Sequence, residues 1–338
     1  MPTIRDVAHR AGVAPITVSR VINNTGYISD ETRARVEAAI AELQYVPNSL
    51  SQSLRFKKTN TISLIVSDIT NPFWTVVTRG AEDASSERGL NVILCNSDEN
   101  ESKQDRYVNV LLQRQTDGFL LVPASNNGAV VKRIKSQRVP LVVIDRQMRD
   151  VEVDIVRCDS EGGAFHLTQY LLNLGHRRIA ILTGPQDIST SEQRVTGYKN
   201  ALRANGLTVD ERLIHYGHYN QDAGYDMANK IIQDTSSPRP TALFAGNNLI
   251  AIGILKALDH LGLQVPEDIS VVSFDDLPLG LLTKPFLTVM AQSAYQVGYQ
   301  AAQLLLKQIA GEEEAGNRDM VLPVELIERQ SCRALTDQ

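Results

Sequence analysis

No apolar run in the 338 residues approaches the ~20 residues of a membrane-spanning helix, and the N-terminus lacks the basic-then-apolar layout of a secretory leader. The chain is therefore expected in the cytoplasm, with no membrane partner. Cysteine is scarce: Cys95, Cys158 and Cys332 are odd in number, far apart and in no metal-ligand spacing, which fits reduced structural thiols and no metal or cofactor. The six histidines form no HExxH pair, and the nearest two, His215 and His218, read as a strand end at the surface. There is no phosphate-cradling G-x-x-x-x-G-K-[ST] loop, no G-x-S-x-G nucleophile turn and no dinucleotide G-x-G-x-x-G. Without a nucleophile, base or metal set, no catalytic residue is assigned and an enzyme is disfavoured. An exported ligand-binding protein would need the missing leader.

The composition is that of a soluble globular protein, 43% hydrophobic and 22% charged, in a chain long enough for two or three domains. Its net charge of −5 is unevenly spread: residues 1–58 hold eight Lys and Arg against five Asp and Glu, a net of +3, while the rest is −8. A small basic head on an acidic body fits a nucleic-acid module confined to one end.

The head begins TIRDVAHRAGVAPITVSRVIN. Thr3 followed by Asp6 resembles a capping box, and Ile4, Val7, Ala8 and Ala11 recur at i, i+3, i+4, i+7, which buries one stripe of a two-turn helix. Gly12 can take the left-handed backbone that ends it, and Val13 plugs the turn. Pro15 suits the first turn of a second helix running to Asn23, with Val18, Val21 and Ile22 inward. Pro15, Ile16, Thr17, Ser19, Arg20 and Asn23 are then left near the outer face. In a helix-turn-helix that second helix enters the major groove. Arg20 can donate a bidentate pair to guanine, Ile16 and Pro15 can meet a thymine methyl, and Thr17, Ser19 and Asn23 suit phosphates. Helical hairpins also occur as purely structural units, so this stretch alone leaves both readings open.

Ser29-Asp30-Glu31 opens a third helix with a core stripe of Val36, Ala39, Ile40 and Leu43. YVPNSLSQSLRFKKTNT follows. It has too few apolar residues to hold a helix alone, although Leu50 and Leu54 sit at i, i+4. It is either a solvated linker or a segment that orders on a partner, where a leucine such as Leu54 can wedge between base steps of the minor groove.

From Thr61 short apolar strands (ISLIVS, LNVILC, DGFLLVP, VPLVVID, one near Ile155) alternate with amphipathic helices at 73–89 and 101–116. After Cys158 the alternation restarts: helices at 160–174, 191–205, 222–233 and 249–261 between strands RIAILTG, 213–216, TALFAG and ISVVSFDD. This grammar predicts two similar parallel-sheet lobes with helices on both faces. Ligands bind at the carboxyl ends of such strands. The loops there offer Asp68, Asn71, Phe73, Trp74, Asp145, Arg146, Arg194, Tyr219, Asn247 and Asp275. Carboxylates, amides and guanidiniums suit polyol hydroxyls, and aromatic faces cover a sugar ring, although a strand-end Asp also commonly caps the next helix.

TIRDVAHRAGV followed by TVSRVIN, then YVPN with a leucine-bearing hinge, DITNPF, LGHRRIA, RVTGY and ISVVSFDD resemble the lac repressor (LacI/GalR) family of bacterial transcription regulators along nearly the full chain. The resemblance implies a homodimer on a pseudo-palindromic double-stranded operator, with Leu54 intercalating from hinge helices, and a periplasmic-binding-protein-like body. It implies a helix-turn-helix head at 1–46, a hinge at 47–59 and a body at 60–338, with lobe 1 near 60–158 and 290–318 and lobe 2 near 159–289 and 319–332. Three crossovers are expected near Cys158, Val289 and Arg318. Thr3 and Asn48 complete the DNA-binding set. Phe73, Trp74, Arg146, Arg194, Tyr219, Asn247 and Asp275 fall where the family holds its effector, here a sugar or sugar acid in preference to a nucleobase, with the sign of regulation left open.

The sequence departs from the family at Ala14, where serine is usual, at Asn247-Asn248 in place of Asn-Asp, and at Ser51-Gln52 in place of Ala-Arg. Five residues after Arg333 are too few for a tetramerising leucine-heptad tail. Deletion of residues 1–58 is expected to abolish operator retention in a gel-shift assay while ligand binding, measured by calorimetry, persists. Retention of operator binding by the truncated chain would refute the head's role.

Overall fold

The computed structural model describes residues 2–46, 58–277, 285–312 and 318–335, and the chain divides into two compact units, Met1–Thr59 and Asn60–Gln338. Asn48, Leu54 and the hinge residues Leu50, Ser51 and Gln52 lie outside the described residues.

The first unit contains α1 (Ile4–Ala11), α2 (Pro15–Ile22) and α3 (Asp30–Glu42). Thr3 caps α1 in a reciprocal box: its hydroxyl accepts from the Asp6 N–H and the Asp6 carboxylate accepts from the Thr3 N–H at 2.7 Å. Gly12 ends the helix at φ 63°, a left-handed backbone that favours glycine. Val7, Ala8, Ala11, Val18, Val21, Val36 and Ala39 form the small core, with Ile4, Val13, Ile22, Ile40 and Leu43 at its margin. Arg10 clamps Glu42 at 2.7 and 2.9 Å, tying α1 to α3. α2 stops at Ile22, one residue before the expected end, because Asn23 folds back as its cap.

The second unit has two six-stranded sheets. The first holds β1 (Thr61–Val66), β2 (Asn91–Asn96), β3 (Gly118–Leu121), β4 (Leu141–Ile144), β5 (Asp154–Cys158) and β11 (Asp319–Leu322), in the order β2-β1-β3-β4-β5-β11 with all neighbours parallel. The second holds β6 (Ile179–Thr183), β7 (Ile214–Tyr216), β8 (Ala242–Ala245), β9 (Ser270–Phe274), β10 (Thr288–Gln292) and β12 (Val324–Ile327). Its order is β7-β6-β8-β9-β10-β12, parallel except for β12 against β10. Strand order thus reverses at the first strand of each sheet, which opens a crevice at its carboxyl end.

Strand alternation sends successive side chains to opposite layers. Leu120 and Val122 meet α4 (Pro72–Ser86) and α11 (Ala294–Ala310), whereas Phe119 and Leu121 meet α5 (Glu101–Gln113) and α6 (Ala129–Ser136). In the second lobe α7 (Ser160–Asn173) and α8 (Ser189–Ala204) cover one face, and α9 (Gln221–Gln233) and α10 (Asn248–His260) the other. Among the described residues no helix is long and apolar enough to cross a membrane. Cys95 and Cys158 are buried free thiols and Cys332 a half-buried one; burial pushes the Cys158 thiol up to about 12.

Three features escaped the sequence reading. α6 is only eight residues, too short to display a period, and the sequence signals read above give no elements from β10 onward, α11 included. The crossovers also move. Val289 lies inside β10 of the second sheet, so the chain leaves that lobe at Ser293 rather than at Val289. Asp319–Leu322 pairs with β5 of the first sheet, held by the Arg157–Asp319 ion pair at 2.7 Å, so the return falls at Pro323 rather than at Arg318. A resemblance locates a crossing to within one element; backbone pairing decides the residue.

α4 and α11 cross at glycine. A Cβ on Gly298 would lie 1.8 Å from the Val77 carbonyl oxygen, and one on Gly80 would lie 2.1 Å from that of Tyr295. Neither contact can be relieved by a side-chain rotation, because the obstacle is backbone. Gly298→Ala is expected to destabilise the body by about 1–3 kcal/mol despite the better helix propensity of alanine, read as a lowered urea midpoint. An unchanged or raised midpoint would show that the helix pair shifts apart without cost.

Candidate functional site

In the head, Ile16 is 53% exposed, Pro15 and Arg20 are exposed, and Thr17 and Ser19 are half-buried along one side of α2. Ala14 supplies no side-chain acceptor to the α2 N-terminus, so the first-turn N–H groups of α2 receive none from its cap. Two residues of the expected DNA-contacting set have local duties. Thr3 is committed to Asp6, whose carboxylate it holds below the usual range through side-chain and backbone hydrogen bonds. Asn23 donates to the Ser19 carbonyl at 2.7 Å and to its hydroxyl at 3.3 Å. The exposed face is therefore Pro15, Ile16 and Arg20 flanked by Thr17 and Ser19, an apolar and cationic strip on the second helix of a hairpin.

In the body a cavity of about 360 Å³ opens between the lobes at the strand ends. All ten strand-end residues singled out in the sequence line it: Asp68, Asn71, Phe73, Trp74, Asp145 and Arg146 from the first lobe, and Arg194, Tyr219, Asn247 and Asp275 from the second. Asn71 and Asn247 also cap helices, accepting from the Phe73 N–H at 3.0 Å and the Ile250 N–H at 2.9 Å. The capping role and the cavity role thus coexist, since a cap at a strand end sits where the next helix begins. Asp68 accepts from the Thr70 N–H and hydroxyl at 2.8 and 2.7 Å, closing the turn that leads to Asn71.

Arg146 is buried. It donates to Glu99 through both terminal nitrogens, at 2.7 and 2.5 Å, and to the Pro123 carbonyl. Burial pulls its pKa down, but Glu99 outweighs that and the guanidinium is held above its ordinary value. Arg194, also buried, lies 4.0 Å from the Phe274 ring centre and donates to the Gly246 carbonyl at 2.6 Å. The Nε of each arginine is buried without a partner, and so is Oε1 of Gln292. Tyr219 lies against Gly184, where a Cβ would meet its ring at 2.2 Å, and its hydroxyl pairs with Ser191 at 2.7 Å. Phe73 and Trp74 pack edge to face at 4.9 Å.

Two carboxylates occupy matching places in the two lobes. Asp145 follows β4 with φ 70°, and Asp275 follows β9 with φ 67°. The backbone N–H of each donates to the adjacent strand, to Val156 and Met290, both at 2.9 Å. Burial raises the pKa of both. Arg194 and Arg146 oppose this at Asp145, and Arg194 and the 2.6 Å bond from Gln292 oppose it at Asp275, which is nonetheless pushed up to about 6. Sequence reading did not assign Glu99, Thr190, His218, Asn220 or Gln292 to this cavity. Gln292 ends β10, a strand not recognised, and only the fold brings Glu99 to Arg146.

A helix-turn-helix head joined to a body of two facing parallel-sheet lobes around a polar cleft defines a ligand-responsive DNA-binding regulator. The chain belongs to the lacI family of bacterial regulatory proteins: residues 3–48 match that family, and residues 59–330 match the periplasmic binding proteins and sugar binding domain of the LacI family. It is 36% identical over 336 residues to the ribose operon repressor of Escherichia coli (strain K12), covering 98% of this chain and 100% of that one. The lac repressor dimer bound to operator and the anti-inducer ONPF superposes with a TM-score of 0.84 at 28% identity, over 98% of this chain and 99% of that one. A LacI-family regulator from Enterococcus faecium with bound ribose gives 0.71 at 29% identity, over 82% and 100%. The chain is a DNA-binding transcription regulator with a body of the sugar-binding kind.

Asp275 links the site to stability. Its folded pKa of about 6 lies above the ordinary 3.8, so its contribution to stability is fully present below about pH 4 and is lost as pH rises through 6. Asp275→Asn is expected to stabilise the body at pH 7.5, on the order of 2–3 kcal/mol, with the gain vanishing near pH 4. Urea melts at both pH values check it; a gain independent of pH would assign the effect to something other than this carboxylate.

Proposed function

We propose that the protein is a homodimeric cytoplasmic repressor, working by binding and without catalysis, whose effector is a neutral sugar of monosaccharide size held between the lobes. One observation carries the effector class. The cavity is lined by side chains that donate, those of Arg146, Arg194, Asn220 and Asn247, together with side chains that accept, the carboxylates of Asp68, Asp145 and Asp275. A hydroxyl donates and accepts at once, so a ring carrying several satisfies both kinds. Phe73, Trp74 and Tyr219 supply apolar surface for the ring's other face.

Charge decides between the neutral sugar and the sugar acid that the two arginines first suggest. Arg146 is already paired with Glu99, and Arg194 shares the cavity with Asp68, Asp98, Asp145 and Asp275. A bound carboxylate would meet four more carboxylates and at most one uncommitted guanidinium. The volume, near the low end of the roughly 300–1,000 Å³ of ligand pockets, favours a single ring. The ribose named in the relative and in the bound regulator fits this description.

In the head, Arg20, Ile16 and Pro15 read base edges, Thr17 and Ser19 meet phosphate, and dimer symmetry is mirrored in a pseudo-palindromic operator. Thr3, Asn23, Asn48 and Leu54 complete the proposed DNA-binding set. The sugar shifts the lobes between two arrangements with different operator affinity, which requires a coupling of typically ~1–3 kcal/mol. Selection of duplexes from a random pool, repeated with neutral pentoses and hexoses and with aldonic and uronic acids, is expected to enrich a two-fold site whose retention changes with a neutral sugar. Arg194→Gln should weaken that sugar about 10–100-fold in calorimetry and leave operator affinity intact. A response to acids alone would overturn the neutral-sugar reading, and no enriched sequence would overturn the regulator reading.

A further inference from the structure

Asn248 is the first residue of α10 and is 1% exposed, yet it is not among the residues that line the cavity. Its amide nitrogen donates to the side-chain oxygen of Asn71 in the other lobe at 3.1 Å and to the Asp276 carbonyl in its own at 3.2 Å. Both partners are acceptors: Asn71 Oδ1 is fixed as one because it also receives the Phe73 N–H at 3.0 Å. The Asn248 oxygen is buried with no partner. A buried amide with one half unsatisfied is unfavourable for folding, and a residue kept in that state is a candidate for a role in function.

From this geometry we propose that Asn248 is a clasp between the lobes that sets effector affinity without touching the effector. Its bond to Asn71 exists only at this lobe spacing. Asn71 is also the cap of α4, the helix whose first turn places Phe73 and Trp74 on the cavity wall. The clasp therefore does two things with one donor: it favours the spacing at which residues from both lobes reach one ring, and it anchors the aromatic wall. Among the described residues, other interlobe bonds, such as the Gln147 N–H to the Ser189 hydroxyl at 2.9 Å and Gln193 to Gln147 at 2.6 Å, involve neither Asn71 nor Asn248. The proposal rests on the neutral-sugar reading for its ligand, but the lobe contact stands apart from the ligand's identity.

Asn248→Asp keeps the shape and removes the donor, setting a carboxylate against the Asn71 oxygen and the Asp276 carbonyl. Trp74, the only tryptophan in the chain and 5% exposed, reports on the same edge. In the full-length protein without sugar, Asn248→Asp is expected to red-shift Trp74 emission and increase its quenching by acrylamide, and saturating sugar should reverse both. Ribose or whichever neutral sugar binds the wild type should bind about tenfold more weakly. Asn248→Ala, which lacks the donor without adding charge, should move both readouts the same way by less, and it carries the test if the aspartate variant does not fold. A purely structural role would lower the melting temperature and leave Trp74 quenching of the folded protein at the wild-type value; that result, with unchanged sugar affinity, overturns the clasp. Should the wild type bind no neutral sugar, the effector reading falls, and Trp74 quenching in the sugar-free variants still decides whether the clasp exists.

Discussion

A parallel sheet must bury both faces, and that constraint places everything else in this body. Helices cover the two faces of each sheet, so polar side chains can gather only at the strand ends. Each sheet reverses its strand order at the first strand, and the crevice this opens in one lobe faces the crevice in the other. Aromatic, amide and charged groups from five or more loops therefore converge on one cavity although they span more than 200 residues of sequence.

The two lobes solve the same local problem in the same way. Asp145 and Asp275 both leave the fourth strand of their sheet through a left-handed backbone, and both return their N–H to the next strand. Non-glycine residues adopt that backbone uncommonly, aspartate more readily than most, and its carboxylate is swung over the strand end by the turn. Repetition of the turn in both lobes places a carboxylate on each side of the cleft, with Arg194 acting on both.

Affinity and stability pull against each other at this site. Buried guanidiniums with an unpartnered Nε, a carboxyl pushed up to about 6 and a half-satisfied Asn248 each disfavour the folded body. They belong to side chains that line the cavity or that join its two walls. The hydrophobic layers, with reciprocal glycines letting α4 and α11 approach to backbone contact, supply the opposing stability.

Local chemistry was enough to read the head. Its capping box, Gly12 stop, Pro15 start and core stripes act between residues three or four apart, and the helices form where those signals stand. Strand and helix alternation likewise announced two parallel-sheet lobes, and the strand-end loops supplied ten residues that meet in the cavity. Other features were not legible from neighbours along the chain. Glu99 reaches Arg146, Gln292 reaches Asp275, and Asn248 reaches Asn71 across 177 positions, pairings that exist only once the sheets have formed and the chain has crossed between them three times. The crossing points at Ser293 and Pro323 were settled by which sheet edge each last strand could pair with. Sequence alone determined the kinds of element and the chemistry they carry, because periodicity and capping are short-range. Tertiary structure decided which charges are compensated and which donors stay free, because that depends on partners brought together by long-range packing.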